Sequence, residues 1–196
     1  MTTFTTQVAA DVDDAWHYNG SMIETTSGVY TNYLNVKVLL AGFRFNNVTV
    51  NNATLIESSG SPTTFVELQS LATSVDDMDT ELFADDVDDS EVIEGGTDLV
   101  DRTLTTASVF WTNLDAGTSF IKSPDIATII QEIVDRGGWS NGNDLTIIAF
   151  DPQSSVRYYS TDYTTDPSAA AKITIVHTAG AASVPASPRL KIGVGK

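Results

Sequence analysis

Any chemistry this chain performs has to come from two histidines, one long acidic run and a scatter of aromatic rings. His17 and His177 are the only imidazoles. Neither falls in a metal-ligand spacing such as HExxH. His177 ends a run of strand-like alternation, where a structural residue is expected rather than a general base. Cysteine is absent, which removes thiolate nucleophiles, thiolate metal sites and disulfides together. The sequence has no GxSxG elbow and no phosphate-cradling glycine loop. Carboxylates are plentiful enough for a glycosidase pair, but such a pair acts only where a cleft holds two of them across one bond. These residue types point to a non-enzymatic protein with no catalytic residue and no cofactor.

Residues 76–101 hold twelve of the chain's 26 acidic residues and no basic one. Calcium favours several carboxylate and carbonyl oxygens in a flexible loop. An EF-hand register set by Asp86, Asp88 and Ser90 lacks the required loop glycine, so a solvated acidic face is expected in preference to a structural calcium site. Leu82, Phe83, Val87, Val92 and Ile93 are interleaved with the acids, so part of the run should be strand. Exposed aromatics offer a second chemistry, stacking on sugar rings. Trp16 and Tyr18, or Tyr158, Tyr159 and Tyr163, are the candidates. At the end of the chain, RLKIGVGK alternates basic or glycine residues with Leu190, Ile192 and Val194. That pattern suits a strand added to a neighbouring sheet edge, with Arg189, Lys191 and Lys196 meeting an acidic surface.

The elements that must position these groups are mostly strands. The exception is Ser123 to Ile148. Ser123, Pro124 and Asp125 read as a helix start, with Ser123 as the cap. Ile126, Ile129, Ile130, Ile133 and Val134 then recur at helical spacing, and Gly137-Gly138 reads as a left-handed stop, predicting one short amphipathic helix over about 124–136. Trp139 is expected to plug the helix end. Strands are predicted at Phe4 to Val12, Leu34 to Leu40, Gly42 to Phe45, Val48 to Val50, Ala53 to Glu57, Phe65 to Leu71, Thr103 to Trp111, Leu145 to Phe150, Val156 to Ser160 and Lys172 to His177. The segment from Asp13 to Gly28 reads as polar and turn-like around Asn19-Gly20. Short strands with turns every ten or so residues predict an all-β, jelly-roll-like β-sandwich over residues 1–178. Residues 179–196 read as a linker and an extended C-terminal arm.

The chain's 196 residues are enough for one domain with a substantial core. A net charge of −16 disfavours nucleic acid and anionic membrane surfaces. The start of the chain lacks a secretory-signal pattern, and no apolar run reaches the length of a membrane span, so a soluble protein is expected.

Several segments together resemble the DNRLRE domain family of β-sandwich modules, found in surface-exposed and secreted bacterial proteins and in some phage proteins. They are Gly42-Phe43-Arg44-Phe45 with Asn47-Val48-Thr49-Val50 and Ala53-Thr54-Leu55; Ala84 to Ser90; Arg102-Thr103; Thr105 to Trp111; the helix, Gly-Trp pair and Ser-Asn-Gly-Asn turn within Ser123 to Ile148; Arg157 to Ser160; and Asp166 to Lys172. The resemblance implies a non-catalytic sandwich used for display, adhesion or assembly. The missing export signal and the basic arm depart from it. A phage particle accommodates the first departure, since virion proteins leave by lysis. The expectation is therefore a structural protein of a phage virion, in capsid decoration or tail, contacting other virion proteins or itself as an oligomer. The alternative is an adhesive module for a host-surface glycan.

Overall fold

The computed structural model describes residues 1–10, 13–18, 21–24, 29–31, 39–58, 63–69, 79–93, 98–112, 119–151, 156–158 and 167–178. The protein is an all-β sandwich of two antiparallel sheets. Strands β1 (Thr2–Gln7), β6 (Leu55–Ile56), β7 (Phe65–Gln69), β10 (Phe120–Lys122) and β13 (Lys172–Thr178) form one sheet, ordered β1-β13-β7-β10 with β6 also on β13. The other sheet runs β3-β2-β5-β11-β8-β9, from strands β2 (Asp14–Tyr18), β3 (Ser21–Glu24), β5 (Leu39–Phe45), β8 (Asp79–Ala84), β9 (Val109–Thr112) and β11 (Leu145–Asp151). Strands β4 (Val29–Thr31) and β12 (Val156–Tyr158) pair separately. The chain passes repeatedly from one sheet to the other, so most neighbours within a sheet are distant in sequence, as in a jelly roll.

Alternation along each strand divides the faces. In the central strand β11, Leu145, Ile147 and Ala149 point into the core between the sheets, with Phe43, Phe45, Leu82 and Ala84 from its neighbours. From the other sheet come Val66, Leu68, Ile173 and Ile175. Helix α2 (Ala127–Val134) contributes Ile129, Ile130, Ile133 and Val134 to the same core and packs on β6 of one sheet and β8 of the other. Its aliphatic stripe therefore seals one end of the sandwich, and burying each such side chain contributes about 1.5–3 kcal/mol. Trp139 is buried and donates its indole N–H to the Val50 carbonyl at 2.9 Å, plugging the helix end as expected.

The helix boundaries differ from the sequence expectation for identifiable reasons. Backbone bonds from Ser123 N–H to Val66 O and from Ile126 N–H to Thr64 O hold residues 123–126 against β7, so the helix starts at Ala127. Ser123 does not cap it. Its hydroxyl accepts the Val66 N–H instead, while the Asp125 carboxylate takes the Ala127 N–H at 2.8 Å. The expected left-handed glycine stop is also absent. Positive φ occurs at Asn47, Ala53 and Gly142, not at Gly137 or Gly138. Gly138 is closely approached: a Cβ there would lie 2.1 Å from Asp88 Oδ2, so that carboxylate would have to move, whereas a Cβ at Gly137 would meet nothing within 4 Å.

Strand extents changed where tertiary partners compete. Asp14–Tyr18 and Ser21–Glu24, expected as turn, form strands because β5 offers β2 a full register from Asp14↔Phe43 to His17↔Leu40. Val48 and Val50 are buried without belonging to a strand. Only the end of 103–111 is strand, since the N–H groups of Thr106 and Ala107 are taken by the Glu132 carboxylate. The expected strand at Leu34 to Leu40 falls largely outside the described residues, as do residues 179–196. A short helix absent from the sequence expectation, α1 (Asp98–Asp101), packs on β2 and β5.

Candidate functional site: an arginine-clamped acidic face

The outer face of the six-stranded sheet is partly apolar. Ala15, Leu40 and Ile148 make a second buried cluster there with Ile93 and Leu99, which arrive from the segment following β8. Gly42 admits this cover, because a Cβ at that position would sit 2.5 Å from Leu99 Cδ2 and 3.0 Å from Ile93 Cδ1. The acidic run is thus folded back over a sheet.

Three arginines hold it and the loops around it. Arg102 is only 7% exposed. It donates to Asp85 at 2.9 Å, Asp98 at 2.8 Å, the Ser90 hydroxyl at 2.9 Å, Thr146 Oγ1 at 3.3 Å, and the carbonyls of Glu91 and Val92 at 3.0 Å each. Ser90 in turn donates to Asp85 at 2.8 Å. Arg44, on β5, pairs with Asp13 and Asp144 and donates through Nε to the Ser90 carbonyl at 2.8 Å. Arg136, just past α2, pairs with Asp86 and, at 2.8 Å, with Asp88, joining the helix end to the acidic run. A fully solvated acidic face is therefore the wrong picture for this part of the run: Asp85, Asp86, Asp88 and Asp98 are counter-ions to arginines outside it.

Burial pushes the Asp85 carboxyl above its ordinary range, and the Ser90 and Arg102 bonds offset only part of that rise. At Glu132 the balance reverses: burial raises the carboxyl, but the donors of Thr106 and Ala107 together outweigh it and hold it below its ordinary range. Arg136 is raised chiefly by its bond to Asp88. A cavity of about 290 Å³ opens beside Arg102, with Asp85, Asp89, Glu91, Asp98 and Asp101 in its wall. Its arginine is committed to acceptors on six residues, and Asp85 is committed to that arginine. Proton transfer by Asp85 would have to break the clamp, so the arrangement suits holding a surface in shape.

The described aromatic candidates fall on two strands. Trp16 and Tyr18 belong to β2, opposite Ile23 and Ser21, while Tyr158 belongs to β12 in the separate pair, opposite Val29. Tyr159 and Tyr163 lie outside the described residues, as do Arg189, Leu190, Lys191, Ile192 and Val194. An aromatic not singled out from the sequence is exposed instead. Phe110 is 59% exposed on β9, and its row across the sheet continues through Glu81 to Phe150. His177 is buried between Thr2 and Ile56, with neither ring nitrogen partnered. Among the described residues, no group of three or more His, Asp or Glu side chains is arranged to hold a metal, and no helix is long and apolar enough to cross a membrane.

No protein-family model matches the chain, and no curated protein matches it either.

Proposed function

We propose that this protein is a non-enzymatic structural component of a phage virion, in capsid decoration or tail, working through protein–protein contacts. One observation carries the reading: Arg44, Arg102 and Arg136 hold Asp13, Asp85, Asp86, Asp88, Asp98 and Asp144 in ion pairs that fasten the acidic run to the sheet and to the helix end. Such bracing suits a wall that must keep its shape while others bind to it. The resemblance to DNRLRE modules supports the same class of role. Mass spectrometry of gradient-purified particles tests it: the chain should be present in many copies per particle and stay bound through high-salt washing. Recovery only in the soluble fraction would refute it.

A second reading, adhesion to a host-surface glycan, is favoured by the Phe150–Glu81–Phe110 row, an exposed ring beside a carboxylate. It predicts retention on a glycan array that Phe110→Ala abolishes, and no retention by the unaltered protein removes it.

A further inference from the structure

A cation is held well where ring faces and an unneutralised carboxylate lie within reach of one point, since both favour positive charge. The outer face of the six-stranded sheet has such a place beside the part covered by Ile93 and Leu99. On β8, Leu82 and Ala84 point into the core, so Glu81 and Phe83 point outward. Glu81 stands in register between Phe150 of β11 and Phe110 of β9, and cross-strand neighbours of this kind have Cβ atoms about 5 Å apart. Phe83 follows two residues along the same strand, about 7 Å away on the same face. Three phenyl rings are thus neighbours of one carboxylate. Phe110 is exposed, and Glu81, Phe83 and Phe150 are half-buried. Strand β9 is the last of its sheet among the described residues, so the row is open on that side.

That carboxylate has capacity left. Glu81 Oε1 accepts the Ser108 hydroxyl at 2.6 Å. Among the described residues, the ion pairs are those of Arg44, Arg102 and Arg136, and none of them reaches Glu81. The set offers ring faces and an acceptor, which a cation uses fully, whereas sugar hydroxyls also call for donors. We infer that this face receives an arginine side chain of a partner protein. The guanidinium lies over the Phe110 ring with its edge toward Glu81, and Phe83 and Phe150 wall the remaining sides. Arginine suits the place better than lysine, because a flat cation stacks on a ring and pairs with a carboxylate at once. The net charge of −16 draws a basic partner surface toward the body and so steers the encounter. This inference rests on the assembly role proposed above and names the chemistry of the partner's contact.

Titration of the isotope-labelled full chain with N-acetyl-arginine amide, followed by NMR, tests it without any particle. Saturable shifts should concentrate on the signals of Glu81, Phe83, Phe110 and Phe150, and the uncharged citrulline analogue should produce none. Phe110→Leu, at an exposed position, and Glu81→Gln, which can keep the Ser108 bond, should each weaken binding by at least about threefold. Shifts that spread over the acidic residues and survive Phe110→Leu would reflect attraction to the charge of the whole body and overturn the inference. Equal shifts with the citrulline analogue overturn it too, as does the absence of any shift. Shifts at these rings with methyl glucoside and none with the arginine probe would overturn it in favour of the glycan reading. Every one of these results leaves particle incorporation as a separate question, answered by the mass spectrometry above.

Discussion

Replacing Arg102 with Met should expose what the clamp contributes. The methionine roughly keeps the aliphatic stem but removes the guanidinium from Asp85, which is 5% exposed, and from Asp98, which is 25% exposed. Breaking a buried pair by deleting one partner typically costs about 3–5 kcal/mol, because the survivor keeps its desolvation penalty. The Asp85 side of the clamp belongs to that class, while the more exposed Asp98 side adds about 0–1 kcal/mol. For a chain of this size each kcal/mol shifts Tm by about 2–4 °C, so a drop of about 6–24 °C is expected. The pH dependence is a second signature. Asp85 is already raised by burial, and losing Arg102 raises it further. In the variant, stability should therefore fall as pH climbs from the unfolded carboxyl value through the raised folded one, and recover on acidification. Asp85→Asn in the Arg102→Met background should restore part of the loss at neutral pH. Urea unfolding across pH 4–8 is the assay. A loss below about 1 kcal/mol at neutral pH, with no dependence on pH, would show an ordinary surface pair and refute the clamp.

Other perturbations separate the remaining elements. Gly42→Ala should cost about 1–3 kcal/mol by overpacking, since its Cβ would collide with buried Leu99; an unchanged unfolding midpoint would mean that the 90–102 cover is loosely held. Gly138→Ala should destabilise the protein by about 1 kcal/mol or more through displacement of Asp88, while Gly137→Ala is tolerated; equal effects in thermal melts would contradict the close approach. Burial, and secondarily the charge of the N-terminus, holds the His177 imidazole below its ordinary value. The unfolded chain therefore takes up this proton first, so stability should fall as pH drops below about 6.5 toward the lowered folded value, and His177→Phe should flatten that stretch of the curve. Glu132 acts in a more acidic window: stability it contributes above its ordinary carboxyl range should be lost on acidification through its lowered value, and Glu132→Gln should remove that loss.

The parts of this fold that were legible in sequence are those set by local periodicity. The Ile129, Ile130, Ile133 and Val134 stripe carries its own period and buries the face that period marks, and the run LTIIAF reads as a short apolar strand and is buried on both faces. Trp139 as a plug followed from its position past the helix. The helix start was misread because Ser123 satisfies the local rule for a cap, yet β7 offers its backbone and hydroxyl better partners. The clamps were not legible for the same kind of reason. Arg44 finds its partners at Asp13 and Asp144, 31 and 100 residues away, and no spacing rule links them. Arg102 gave the one available hint: it directly follows a run of twelve acids without a base and lies four residues after Asp98. Phe110 reads as core by composition and becomes surface because it alternates on β9 with buried Trp111 and so lies on the outer face.

Electron cryo-microscopy of purified particles is the most direct measurement of the assembly role. The account predicts repeated two-sheet densities of this size on the capsid or tail, with the acidic face intact around Arg102. Particles with no such density, together with a small molecule held in the cavity beside Arg102 of the free protein, would contradict it.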